Sequence, residues 1–106
     1  MIAVMFEVQL AEGHEADYFE LAGALKGSLE KIDGFMSVER FQSLNDDGKY
    51  LSLSFWRDEK AIEEWFCHSG HDEAQQKGRS EIFSDYRIRV ASVFRDYDLA
   101  QGRPKN

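Results

Sequence analysis

The chain has 106 residues, 42% hydrophobic and 31% charged, which is enough for one domain with a small core and too little for two. Its formal net charge of −7 repels phosphate backbones and anionic lipid headgroups, and no basic run offsets it, so nucleic acid and membrane surfaces are poor partners. Cys67 is the only cysteine, so an intrachain disulfide is excluded and a reducing, cytoplasmic setting is expected.

The opening MIAVMFEVQL lacks a basic n-region and reaches polar residues too soon for a signal peptide or a membrane span. Within it Ile2, Val4, Phe6, Val8 and Leu10 alternate with Ala3, Met5, Glu7 and Gln9, the period of a strand. After Glu12 and Gly13, Tyr18, Leu21, Ala22, Leu25, Leu29 and Ile32 recur at steps of three and four, the period of an amphipathic helix. Gly23 and Gly27 on that helix are expected to let it pack closely on a sheet, and Asp33 with Gly34 to stop it. Phe35 to Leu44 and Lys49 to Arg57 read as a hairpin around Asn45–Gly48, residues that tolerate positive φ. In its second arm Leu51, Leu53 and Phe55 share a face that reads as core, while Tyr50, Ser52, Ser54 and Trp56 share the other.

Asp58 is placed to cap a helix carrying Ala61, Ile62, Trp65 and Phe66, and Ser69 with Asp72 to cap a following turn that carries Ala74. A last strand sets Tyr86, Ile88, Val90 and Phe94 against Arg87, Arg89, Ala91, Val93 and Arg95. Strand, helix, strand, strand, helix, strand is the order of a ferredoxin-like α+β domain with an antiparallel sheet, here residues 1–98, followed by a flexible tail, 99–106. Helices on one side would leave the other sheet face open with Met5, Tyr50, Trp56, Ala91 and Val93 on it, and a second copy is the simplest cover. The 13% aromatic content, large for so small a core, also favours an oligomer, and a homodimer is expected.

Cys67, His68, His71 and Asp72 invite a metal, but Ser69 and Gly70 intervene and only His14 lies elsewhere, so a capped turn is the better reading and no metal is expected. There is no Gly-x-Ser-x-Gly elbow and no glycine-rich phosphate loop, and Glu63 with Glu64 reads as a solvated helix face. What remains is a ring-lined space, either under the helices near Trp65, Phe66, His71, Phe83 and Tyr86 or on the open sheet face near Trp56. His71 is either a general base near neutral pH or a structural histidine. Arg79, Arg87, Arg89 and Arg95 either anchor an acidic substrate or bridge subunits, the second being the default.

The stretch FWRDEKAIEEWFCHSGHDEAQQKGR followed by YRIRVASVFRDY resembles the antibiotic biosynthesis monooxygenase domain family. The most specific points are Trp56, Ala61 to Trp65, His71, the series Ala74, Gln75, Gly78, Arg79, and Arg95, Asp96, Tyr97. The resemblance implies a dimeric α+β barrel in which two ferredoxin-like sheets pack face to face. It also implies oxidation of a small aromatic, phenolic or quinol-like compound by O₂ without a cofactor, through a substrate carbanion held in a dry pocket. Trp56 matches the strand-end tryptophan of the anthrone oxygenases, whose asparagine and tyrosine partners are Ser52 and Ile62 here. Trp65 matches the helix tryptophan of a haem-degrading branch, which makes haem an alternative substrate. That branch's histidine ligand corresponds to Gln75, with His71 a turn away, and its first-strand asparagine to Glu7 or a neighbour. The catalytic candidates are thus His71 and Trp56, and the substrate-binding candidates Trp65, Phe66, Phe83, Tyr86 and Arg79; a non-catalytic ligand-binding or dimerisation module is the third reading.

Overall fold

The structure, a computed structural model, describes residues 1–67 and 82–102. Strand β1 (Ile2–Leu10) leads into helix α1 (Glu15–Glu30), followed by β2 (Phe35–Gln42), β3 (Lys49–Trp56), α2 (Glu59–Phe66) and β4 (Phe83–Ser92). The sheet order is β2-β3-β1-β4 and every pairing is antiparallel, the ferredoxin-like α+β arrangement expected. The first strand is interior, with both neighbours pairing with it along almost its whole length.

Register decides which residues meet the helices. Residues directly opposite one another in an antiparallel pair project from the same sheet face. Ile2, Val4, Phe6 and Val8 lie opposite Trp56, Ser54, Ser52 and Tyr50. The helices cover this set: Val8, Leu10, Tyr18, Tyr50 and Ile82 form one buried cluster, and Leu29, Trp56, Ala61, Ile62 and Trp65 a second. The expected faces of β3 are therefore reversed, with Tyr50 and Trp56 6% and 2% exposed under the helices. Leu51, Leu53 and Phe55 point to the open side instead, with Ala3, Met5 and Ala91, and for Met5 and Ala91 this is the face expected. Val93 lies just past β4, its amide donating to the Met1 carbonyl at 3.0 Å. Period two tells which side chains share a face but not which face the helices will take, so only pairing with β1 resolves it.

The local signals that end the elements behave largely as expected. Asp58 Oδ1 accepts from the Ala61 amide at 3.0 Å, capping α2, and this bond together with Arg57 holds the Asp58 carboxyl below its ordinary value. Gly34 sits at φ +96°, and a Cβ there would fall 2.8 Å from Ala61 Cβ, so the turn into β2 needs both the left-handed backbone and the missing side chain. The β2–β3 turn uses no positive φ: Asp46 Oδ1 accepts from the Gly48 amide at 3.0 Å, and a Cβ on Gly48 would need only the flexible end of the Gln9 side chain, 2.8 Å away, to shift.

Gly23 and Gly27 do not pack on the sheet. Both are on the exposed side of α1 with nothing within 4 Å of an added Cβ. Each therefore contributes only backbone freedom to the unfolded chain, and Gly23→Ala and Gly27→Ala are each expected to stabilise the fold by up to about 1 kcal/mol. Urea denaturation of the two single variants checks this; a loss of stability in either would mean that the outer face of α1 is covered.

Candidate functional site

Between the helices and the sheet lies a cavity of about 110 Å³. Its floor is one row across the sheet, Arg40 of β2, Ser52 of β3, Phe6 of β1 and Ile88 of β4, with Val4 and Trp56 beside it. The roof comes from Tyr18, Leu21, Ala22, Leu25 and Leu29 of α1 and from Ile62, Trp65 and Phe66 of α2, and Phe83 completes the lining. The helical spacing of α1 puts Tyr18, Leu21, Ala22, Leu25 and Leu29 on one stripe, and that stripe is the ceiling.

Of the residues singled out from sequence, Trp56, Trp65, Phe66 and Phe83 are brought together around this cavity. The alternative position for a site, beside Trp56 on the open sheet face, falls with the reversed register. Trp56 is a wall: its indole N–H donates to Ser54 Oγ at 2.9 Å, and its ring meets Phe35 edge-on at 5.2 Å. Tyr86 stands one layer back, edge-on to Phe6 at 5.7 Å and tilted against Phe83 at 6.4 Å, so it backs the lining and is not part of it. Ser52 and Ile62 are both in the lining.

His71, Arg79 and Gln75 lie outside the described residues, as does the turn expected around Ser69, Asp72 and Ala74. Glu7 faces away from the cavity, paired with Arg89 at 2.6 Å and Lys49 at 3.7 Å, and the hydrogen bond from Arg89 holds its carboxyl below the ordinary value. Of the first-strand positions near Glu7, Phe6 is the one that reaches the cavity. Among the described residues no three His, Cys, Asp or Glu side chains gather as metal ligands. No described helix is long and apolar enough to cross a membrane.

Sequence reasoning passed over Tyr18 and Arg40. Tyr18 is 4% exposed, and burial pushes its phenol above the ordinary value although the neighbouring Arg40 guanidinium acts the other way. The two are close enough to interact, yet Tyr18 Oη and Arg40 Nε are both buried and neither makes a well-formed hydrogen bond. The signal for Arg40 was its place in the alternation Val38, Arg40, Gln42: a charged residue on the face whose neighbour Val38 packs into the core.

A four-stranded antiparallel sheet with two helices on one face and an apolar, tryptophan-walled cavity between the layers defines a ferredoxin-like α+β domain with an internal pocket. The family model of the antibiotic biosynthesis monooxygenases matches residues 1–77, and the chain belongs to that family. The match takes in Trp56, Trp65 and His71 and stops before Arg79 and the closing Arg95, Asp96 and Tyr97. A jasmonate monooxygenase of Pyricularia oryzae is 42% identical over 93 residues, 88% of this chain and 43% of its own length. The chain thus spans under half of that relative. The Bacillus subtilis protein YqjZ is 33% identical over 93 residues, 88% of this chain and 79% of its own length. The fold is shared with a putative antibiotic biosynthesis monooxygenase of Deinococcus radiodurans, at TM-score 0.83, 15% identity and coverage of 93% of this chain and 98% of that one. A Mycobacterium tuberculosis protein gives TM-score 0.81 at 13% identity, covering 92% and 98%.

Proposed function

We propose that this protein is a monooxygenase that oxidises a small, ring-bearing, phenolic or quinol-like compound with O₂, without metal or flavin, in the cavity beneath α1 and α2. The observation that carries the reading is the cavity itself: an apolar space walled by Trp56, Trp65, Phe66 and Phe83 in a chain of this family. For a substrate with an acidic methylene the balance is R₂CH₂ + O₂ → R₂C=O + H₂O, one oxygen atom staying with the carbon and the other leaving as water. Removing a proton from the substrate leaves a carbanion able to reduce O₂, and the protein's part is to exclude water, hold the ring and accept the proton. His71 is the residue assigned to that proton, and Trp65 and Phe66 are assigned to hold the ring.

Two copies complete the working protein in this reading. The open sheet face carries Ala3, Met5, Leu51, Leu53, Phe55 and Phe41, bordered by Glu7, Glu39, Arg87 and Arg89, an apolar centre within a charged rim. Packing two such faces together gives the dimeric barrel, and the lone exposed Cys67 suits a reducing, cytoplasmic setting.

Oxygen uptake with anthrone, a naphthoquinol and jasmonate tests the chemistry, jasmonate being included because of the Pyricularia oryzae relative. Uptake above buffer with at least one of them, lowered tenfold or more in His71→Ala, is the expected result. No uptake with any of the three sinks the oxygenase reading, and an unchanged rate in His71→Ala removes that residue as the base.

A further inference from the structure

The cavity is apolar except at one place, where Arg40 and Ser52 on the floor meet Tyr18 on the roof. Arg40 and Ser52 are direct cross-strand partners, so both project from the helix-facing side at the same level of the sheet. The basic residues in the described ion pairs are engaged outside the cavity: Arg57 with Asp33 and Asp58, Arg89 and Lys49 with Glu7. Arg40, half-buried, has no ion-pair partner among the described residues, and its buried Nε makes no hydrogen bond to any of them. Tyr18 stands on the opposite wall, 4% exposed, its buried hydroxyl within reach of the Arg40 guanidinium but without a well-formed hydrogen bond.

Buried polar groups in folded proteins are almost always paired, and a buried guanidinium N–H or phenol hydroxyl without a well-formed hydrogen bond is costly. Two such groups converging on one cavity mark the place where a ligand brings the missing acceptors. A guanidinium offers parallel N–H donors matched to a planar carboxylate, and a protonated phenol adds a third donor. Burial raises the Tyr18 pKa, so the hydroxyl keeps its proton at neutral pH and donates. A doubly charged phosphate is poorly matched, because one guanidinium meets only half its charge and the remaining lining is apolar.

We infer that Arg40 and Tyr18 form a carboxylate-binding subsite, so that the substrate is an apolar ring compound bearing one carboxylate. Its acid group lies against Arg40, Ser52 and Tyr18 and its body extends toward Trp56 and Trp65. This rests on the proposed function only in taking the cavity as the substrate site; it makes no use of the oxygen chemistry.

The test is anaerobic calorimetry with phenylacetate, 1-naphthaleneacetate and jasmonate, each paired with its methyl ester, so that turnover is absent and only the charge differs. At least one acid is expected to bind tenfold or more tighter than its ester. Arg40→Met, which keeps the length and removes the charge, is expected to abolish that preference. Tyr18→Phe, which deletes one oxygen atom from the core, is expected to weaken the acid severalfold and leave the ester unchanged. Circular dichroism confirms that each variant is folded; should Arg40→Met not fold, Tyr18→Phe alone carries the decision. Acids binding no better than esters, no acid binding at all, or an unaltered preference in a folded Arg40→Met each overturns the inference. Acid binding without oxygen uptake would leave the subsite standing and sink the oxygenase reading, while uptake equally fast from acids and esters would do the reverse.

Discussion

Trp56→Ala is expected to cost about 3–5 kcal/mol, a large part of the roughly 5–15 kcal/mol that holds a small domain together. Trp56 is among the largest fully buried side chains of the described residues, and it joins α2, the end of β3 and the start of β2 into one cluster. Removing the indole would deprive Phe35 of its edge-on partner and open new space beside a cavity already present. Collapse to fill that space is opposed by the sheet, where Ile2 and Phe35 are held opposite position 56 by strand pairing. Trp56→Phe retains a ring and should cost far less, although Ser54 Oγ would lose the N–H that now donates to it. Urea denaturation followed by circular dichroism gives both values, and a loss below about 1 kcal/mol for Trp56→Ala would mean that the wall is not structural.

The second large effect is on assembly. If two copies meet as proposed, Leu53→Asp is expected to convert that dimer to a folded monomer, weakening self-association by roughly a thousandfold or more. Leu53 lies between Glu39 of β2 and Met5 of β1, inside the apolar part of the open face. In a two-fold dimer each substitution acts twice, so two carboxylates would be buried without partners against an apolar surface. The same residue is directed away from α1 and α2, so the fold of a single copy should survive. Sedimentation equilibrium measures the association and circular dichroism the fold. If the wild-type protein is monomeric at micromolar concentration, or if Leu53→Asp dimerises as well as wild type, the open sheet face is not where two copies meet.

These experiments separate two roles that one kind of side chain plays here. Trp56 and Trp65 hold the two layers together and also wall the cavity, so loss of activity in their variants says little about chemistry unless stability is measured too. Arg40 and Tyr18 are more informative. Their unpaired polar atoms add nothing evident to packing, and such groups in a well-ordered core call for an account in terms of binding.

Much of the fold was legible from residue order alone. The alternation from Ile2 to Leu10, the three-and-four spacing from Tyr18 to Leu29, Asp58 ahead of α2 and Gly34 after α1 are local signals, each set by backbone geometry within a few residues. They were sufficient for the βαββαβ order; the ring-lined stretch singled out Trp65, Phe66 and Phe83, and the family resemblance singled out Trp56 and Trp65. Tertiary structure alone decided the sidedness of the sheet. Tyr50 and Trp56 share a face in any register, but whether that face meets helices or solvent depends on Val8 and Ile2, which stand more than forty positions away and pair with them only in the folded chain. The polar corner was hidden for the same reason: Tyr18, Arg40 and Ser52 come from three different elements and look unremarkable one by one. Only when strand pairing sets Arg40 beside Ser52 and α1 brings Tyr18 to the same cavity do a buried Nε and a buried hydroxyl come together as the subsite inferred above.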